Sequence, residues 1–288
     1  MNRRQRGVAL ISVLLVMSLA LLLTGALLRS HRLALKSTAQ QVHQVQVRQA
    51  ALAAERWALQ RLRQVELRES RNVHLGQAWA QGPWSVEFDG TALHIGIEDL
   101  AGRFNLSALV GGGQVDALTQ QRWQRLLKQL HIDNPHLENL VDAGLAGLSD
   151  LSQLRALPDV DSALLQRLQP WVSVLPREAS LNLNTAPAAS VMTLAEINEA
   201  TARTLVRQRP AQGYRSVQAF AEDPLLAGLE VGSHGLGLGS RWFRVTVDVE
   251  FGLKRWRQVS EVELDDQTRL VHVRQRRFLN LLTSESVP

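Results

Sequence analysis

The chain has 288 residues, no cysteine and a formal net charge of +5, which excludes disulfides, thiolate catalysis and cysteine zinc sites. Three of its 32 basic side chains, Arg3, Arg4 and Arg6, fall in the first seven residues. Without them 29 basic groups face 27 acidic ones, too even a balance to argue for nucleic-acid binding.

A basic leader, residues 1–7, ends at Gly7, and 21 residues without a charge follow at 8–28. About 20 residues at 1.5 Å each cross a hydrocarbon core of about 30 Å, so this run reads as a single membrane span. A secretory signal would have an apolar core of about 7–15 residues and a cleavage site after it. Ser18-Leu19-Ala20 could serve as that site, but further apolar residues follow it. The leader arginines favour a cytoplasmic start, which puts the remainder outside the inner membrane.

From residue 29 to about 64 there is no proline or glycine, and Ala, Leu, Gln and Arg dominate. Val42, Val45, Leu52, Ala53, Trp57, Leu59, Leu62 and Val65 recur at mostly three- and four-residue steps. The spacing predicts an amphipathic helix with one stripe to cover, continuous with the span over about 55 to 60 residues, roughly 85 Å. A coiled-coil stalk is the alternative, although no strict heptad holds.

The basic leader, Gly7 and VALISVLLVMSLALLL resemble the class III signal of type IV pilins and type II secretion pseudopilins. The resemblance implies prepilin-peptidase cleavage between Gly7 and Val8, N-methylation of Val8 and retention of the apolar helix. Most of these proteins carry a glutamate as the fifth mature residue, paired with the terminal amine of a neighbouring subunit. Here that position is Ser12, a small neutral side chain able to bond back to its own helix. A subunit with none ahead of it meets no amine, so Ser12 points to a subunit that starts or caps a filament.

Residues 84–88 and 91–98 read as two strands about Asp89-Gly90. EDLAGRFNLSAL (98–109) follows, with Phe104 and Leu106 alternating inward, then a flexible joint at 108–113. Residues 116–130 read as a helix with Trp123, Leu126, Leu127 and Leu130 on one face. Prolines then punctuate two related helical units, 149–174 and 184–222. GSHGLGLG (232–239) lacks the Lys-Ser/Thr pair of a phosphate loop and reads as a mobile loop. Strands at 242–251, 254–264 and 269–278 close the chain, the first alternating Val245, Val247 and Val249 with polar residues.

This order predicts an α+β head interrupted by an all-α insert. Its parts are the leader 1–7, the membrane half-helix 8–28, the periplasmic half-helix 29–70, a first head portion 71–110, the insert 111–222 and a β portion 223–288.

Across nearly its full length the chain resembles the K-type minor pseudopilins of type II secretion, through Gly7, Ser12, EDLAGRFNLSAL, LQPWVSVLP (168–176) and LNLNTAP (181–187). The resemblance implies a pseudopilin fold, a long N-terminal helix on an antiparallel sheet, with a SAM-like or helix-hairpin-helix-like insert. It implies a place at the pseudopilus tip with the I-, J- and H-type minor pseudopilins, the prepilin peptidase processing the chain in the inner membrane. Secreted substrates and the secretin are partners by extension. Partner contacts are expected on the helix stripe, at Val42, Val45, Leu52 and Trp57.

Family members place calcium near an acidic loop of the insert, but residues 137–154 read LENLVDAGLAGLSDLSQL. Asp142 and Asp150 fall short of the six to eight oxygens calcium takes. Asp159 with Asp161, and Asp265 with Asp266, read as solvated turn acids, so no cofactor is expected.

Two other classes stay in view besides a type IV pilus tip pilin. Residues 193–206 resemble half of a DNA-binding helix-hairpin-helix, but its glycines are replaced in Leu194-Ala195-Glu196-Ile197-Asn198, and Glu196 opposes a phosphate. Arg203, Arg207 and Arg209 then read as a solvated face. The eight histidines show no H-E-x-x-H spacing and no nucleophile elbow is present, so catalysis is not expected.

Overall fold

The structure, a computed structural model, describes residues 3–64, 72–88, 90–109, 117–137, 147–158, 160–252, 254–265, 268 and 270–281, with side chains from residue 13 onward. Gly7, Val8 and Ser12 fall where the backbone alone is described. Asp89, residues 110–116, residues 138–146 with Asp142, Asp159 and Asp266 lie outside the described residues.

Helix α1 runs without a break over Arg3–Arg63, so the Ala/Leu/Gln/Arg stretch does continue the apolar run. The chain divides into two compact units, residues 1–50 and 51–288, and α1 contributes to both. In the first unit every side chain from Val13 to Leu35 is exposed, including Leu14, Leu21, Leu22 and Leu28. A helix apolar on all sides with nothing covering it belongs in lipid or against other helices. It is long and apolar enough to cross a membrane.

The second unit is built on an antiparallel sheet of five strands. These are β1 (Trp84–Phe88), β2 (Thr91–Asp99), β7 (Trp242–Phe251), β8 (Lys254–Leu264) and β9 (Val271–Leu281), in that spatial order. The first two and the last three are chain neighbours, so the connection from β2 to β7 carries everything inserted between them. Alternation fixes the register: Leu93 faces Val249, Ile95 faces Val247, and Val247 faces Gln258. The inner face, with Leu93, Ile95, Phe243, Val245, Val247, Val249 and Val262, is buried. The outer face is a ladder of cross-strand ion pairs. Arg257 meets Asp248 at 2.6 Å, Arg244 meets Glu261 at 2.8 Å, and Arg274 meets Glu263 at 3.3 Å. Such pairs add register more than stability.

Between β2 and β7 lie two helical cores. In the first, α2 (Ala117–Leu130), α3 (Ser162–Leu168) and the turn Leu151–Ala156 pack Trp123, Leu126, Leu154, Leu165 and Leu168 with Phe104 and Leu106. In the second, α4 (Ala188–Met192), α5 (Glu199–Gln208) and α6 (Val217–Ala221) bury Leu183, Val191, Leu205 and Phe220. Leu226 and Leu236 join this second core. Polar caps start the helices: Asp161 accepts from the Leu164 amide, Asn198 from Thr201 and Ser216 from Ala219.

Two features depart from the sequence reading. Short parallel pairs stitch the insert, β3 (Phe104–Asn105) with β4 (Val172–Ser173), and β5 (Leu181–Asn182) with β6 (Leu236–Gly237). The glycine-rich segment is therefore tied down, since β6 lies in it and its Gly232 and His234 carbonyls accept from Arg122. Two-residue strands have no period for a sequence to display. Arg209 is likewise no solvated residue, because its guanidinium donates to the Ala186 carbonyl at 2.6 Å.

Candidate functional site: the assembly helix and its motif junction

Within the second unit α1 buries Ala51, Ala54, Glu55, Ala58 and Leu62. Of the bulky stripe expected to cover the sheet, Leu62 is buried, Leu52, Trp57 and Leu59 are half-buried and Ala53 is exposed; three alanines, at three- and four-residue steps, fill the rest of the buried face. Small side chains let helix and sheet approach closely, and hydropathy ranks them below the leucines beside them, so the periodic pattern alone does not single them out. Leu52, Glu55 and Leu59 share one shoulder of the helix. That shoulder faces β9, because Arg276 of β9 grips Glu55 through Nε at 3.0 Å and a terminal nitrogen at 2.7 Å. Glu55 is 2% exposed and Arg276 is 41% exposed, so the pair anchors a buried carboxylate from the solvent side.

Trp57 and Arg61 occupy the opposite shoulder, toward β1. Trp57 meets Trp84 edge to face at 5.1 Å, and the Arg61 guanidinium lies 5.0 Å from the Trp57 ring centre. Beyond each shoulder the inner face of the sheet runs out uncovered. Val86 and Phe88, opposite Leu93 and Thr91, are exposed at the β1 edge; Phe278, opposite Gln258, is exposed at the β9 edge. Of the four predicted contact residues, Leu52 and Trp57 are half-buried, one on each shoulder. Val42 and Val45, in the first unit, are exposed.

Three of the motifs that carry the family resemblance meet through two sets of hydrogen bonds. Asp99, 4% exposed, accepts from the Ala101 amide at 2.9 Å, Asn182 Nδ2 at 2.8 Å and Thr185 Oγ1 at 2.6 Å. Asn182 Nδ2 also donates to the Val73 carbonyl, and its Oδ1 receives the Asn184 amide. Asn184 in turn accepts from the Tyr214 amide and donates to Asn72 Oδ1. Asn105 closes the other side, accepting from Leu175 and donating to the Pro176 carbonyl. Burial pushes the Asp99 carboxyl above its ordinary value, against hydrogen bonds from Ser240, Thr185, the Ala101 amide and Asn182. Two glycines are dictated here. A Cβ on Gly102 would sit 2.9 Å from Thr185 Oγ1, and one on Gly213, at φ +72°, would sit 2.6 Å from the Asn184 amide group. The sequence displayed all these residues without hinting that they meet.

A second link joins insert to sheet: Arg277 of β9 pairs with Asp150, whose carboxylate caps the turn at Leu151–Ala156. Burial raises the Asp150 carboxyl, but hydrogen bonds from Ser152 and Gln275 and the Arg277 charge outweigh it and hold it below its ordinary value. Asp161 is engaged in capping α3. Among the described residues no group of three or more His, Asp or Glu is placed to hold a metal. In the α4–α5 hairpin Leu194 and Ile197 are buried, and Glu196 pairs with Arg125 at 3.1 Å.

A helix long and apolar enough to cross a membrane, running on into a unit built on an antiparallel sheet, defines a pilin-like fold. The family model for type II secretion system protein K matches residues 181–238, the span from β5 to β6. The chain is 31% identical to the type II secretion system protein K of Pseudomonas aeruginosa, covering 91% of this chain and 90% of that protein. It is 30% identical to the protein of that name from Klebsiella pneumoniae, covering 96% and 98%. The chain belongs to the type II secretion system protein K family, the minor pseudopilins of that machine, and the type IV pilus alternative is set aside. The fold matches a chain of the GspK-GspI-GspJ complex from enterotoxigenic Escherichia coli, with a TM-score of 0.69, 22% identity and coverage of 85% and 99%.

Proposed function

We propose that this chain starts or caps the pseudopilus, joined to I- and J-type minor pseudopilins, so that the growing filament exports folded proteins across the outer membrane. The observation carrying this reading is the uncovered α1 over residues 13–46, with Val42 at 50% and Val45 at 59% exposure. Exposed apolar helix of this extent calls for lipid or neighbouring helices. Ser12 supports the leading position, because no carboxylate there waits for a neighbour's amine. Residues 1–7 are the leader, cut between Gly7 and Val8, which gives a single inner-membrane pass and a periplasmic head. The H-type pseudopilin, the secretin and the exported proteins follow as partners further along the machine.

Leu52 and Trp57 stand on opposite shoulders, each beside uncovered sheet, which suits two different partners. Co-purification with tagged I- and J-type partners tests the reading. Val45→Asp combined with Leu52→Asp should lower recovery of a partner at least tenfold. Undiminished recovery would place the interface elsewhere. In the same cells Gly7→Ala should leave the leader attached, seen as a heavier intact mass.

A further inference from the structure

Helix α1 leaves its apolar run at Leu28 and at once turns basic: Arg29, Arg32 and Lys36 follow, all three exposed. Three- and four-residue steps put them on one face of the helix, within about 10 Å along its axis. Leu33, 60% exposed, comes four residues after Arg29 and three before Lys36, so the same face carries an apolar side chain among the charges. Among the described residues no ion pair involves any of the three. The first acidic residue of the chain is Glu55, about 28 Å along the helix beyond Lys36.

These three cations equal in number the leader arginines at the other end of the span, Arg3, Arg4 and Arg6. Basic residues beyond a span weaken the signal that orients it, so they work against the topology they sit in. Their depth gives them a use. With residues 8–28 in hydrocarbon, Arg29 and Arg32 stand at the headgroup level, and Lys36 lies within about a Debye length of it. Long stems lie along the acyl boundary while their charged ends reach phosphate. Guanidinium forks match phosphate oxygens in pairs, and a lysine adds a point charge. Charge alone would equally suit a partner's carboxylates; the position at the end of the span, with Leu33 between the charges, favours lipid.

We propose that Arg29, Arg32 and Lys36 bind the headgroups of anionic phospholipids in the periplasmic leaflet and so fix how deep the span sits, which rests on residues 8–28 crossing the membrane. Binding to the full chain, purified in detergent, is titrated by native mass spectrometry with phosphatidylglycerol, phosphatidylcholine and glycerol 3-phosphate. Phosphatidylglycerol should bind at least about tenfold more tightly than phosphatidylcholine, since each basic group at an anionic surface contributes severalfold. Glycerol 3-phosphate should not displace it. Combining Arg29→Gln, Arg32→Gln and Lys36→Gln should bring the two lipids within about twofold of each other. Arg48→Gln, exposed and about 28 Å beyond Arg29 on the same helix, should keep the full preference. Equal affinities in the parent chain, displacement by glycerol 3-phosphate, or a preference untouched by the triple substitution overturns the proposal. A triple variant that keeps the preference but no longer co-purifies with I- or J-type partners would assign the face to protein contact instead. Alkaline carbonate separates this from failure of the span. A chain washed out of membranes fails the span and the proposal together, whereas a retained chain without the preference fails the proposal alone.

Discussion

Asn182 is fully buried, and its side chain serves three groups at once: Asp99, the Val73 carbonyl and the Asn184 amide. No smaller side chain satisfies all three. Truncation also removes a donor from a buried carboxylate that is already costly to ionise. Asn182→Ala should therefore destabilise by about 3 kcal/mol or more, measured by chemical denaturation, whereas the exposed Asn134 tolerates alanine within about 0.5 kcal/mol. LNLNTAP was legible as a signature, yet its use was not. Its two asparagines and its threonine bond to residues far away in the chain, Asn72, Val73, Asp99 and Tyr214, and sequence spacing says nothing about such meetings.

At the scale of elements, α1 and β9 are joined by Glu55 and Arg276, far apart in sequence and bonded through two nitrogens. Removing the arginine strands a buried carboxylate, although its own partial exposure screens part of the loss. Arg276→Ala should cost about 2 kcal/mol, while Arg255→Ala, which breaks only a solvated pair with Glu250 on the outer face, should cost about 0.5 kcal/mol or less. Thermal or denaturant melts of the two variants decide between these values. The strands themselves were readable, because β7 and β8 alternate cleanly, and both run over the expected residues. The face of α1 was not. Alanines at 51, 54 and 58 are chosen by closeness of approach, whereas hydropathy points to the larger side chains beside them.

For the whole molecule, the insert is held to the sheet partly by Asp150 and Arg277, a link whose strength depends on pH. The Asp150 carboxyl lies below its ordinary value of 3.8 when folded. Its contribution is therefore present above that value and lost as pH falls through the folded one. Asp99 has the opposite sign: raised by burial, it favours the fold below 3.8 and loses that contribution as pH climbs through its folded value. Asp150→Asn should lower Tm by about 2–4 °C at pH 7, and the difference from the parent should shrink as pH falls below the ordinary carboxyl value of 3.8. A gap that persists in acid would mean that the carboxylate charge is not what holds the insert.

The sequence by itself determined the rod, the alternating strands, the interrupted order of the head and the family, because those rest on composition, period and short motifs read along one dimension. Only the tertiary structure decided which face of the helix meets the sheet, that three separated motifs meet through long-range hydrogen bonds, and that a glycine-rich segment is stitched as a strand. The reason is physical. Close packing and the pairing of buried polar groups are set by distances between residues remote in the chain, and no local pattern encodes those distances.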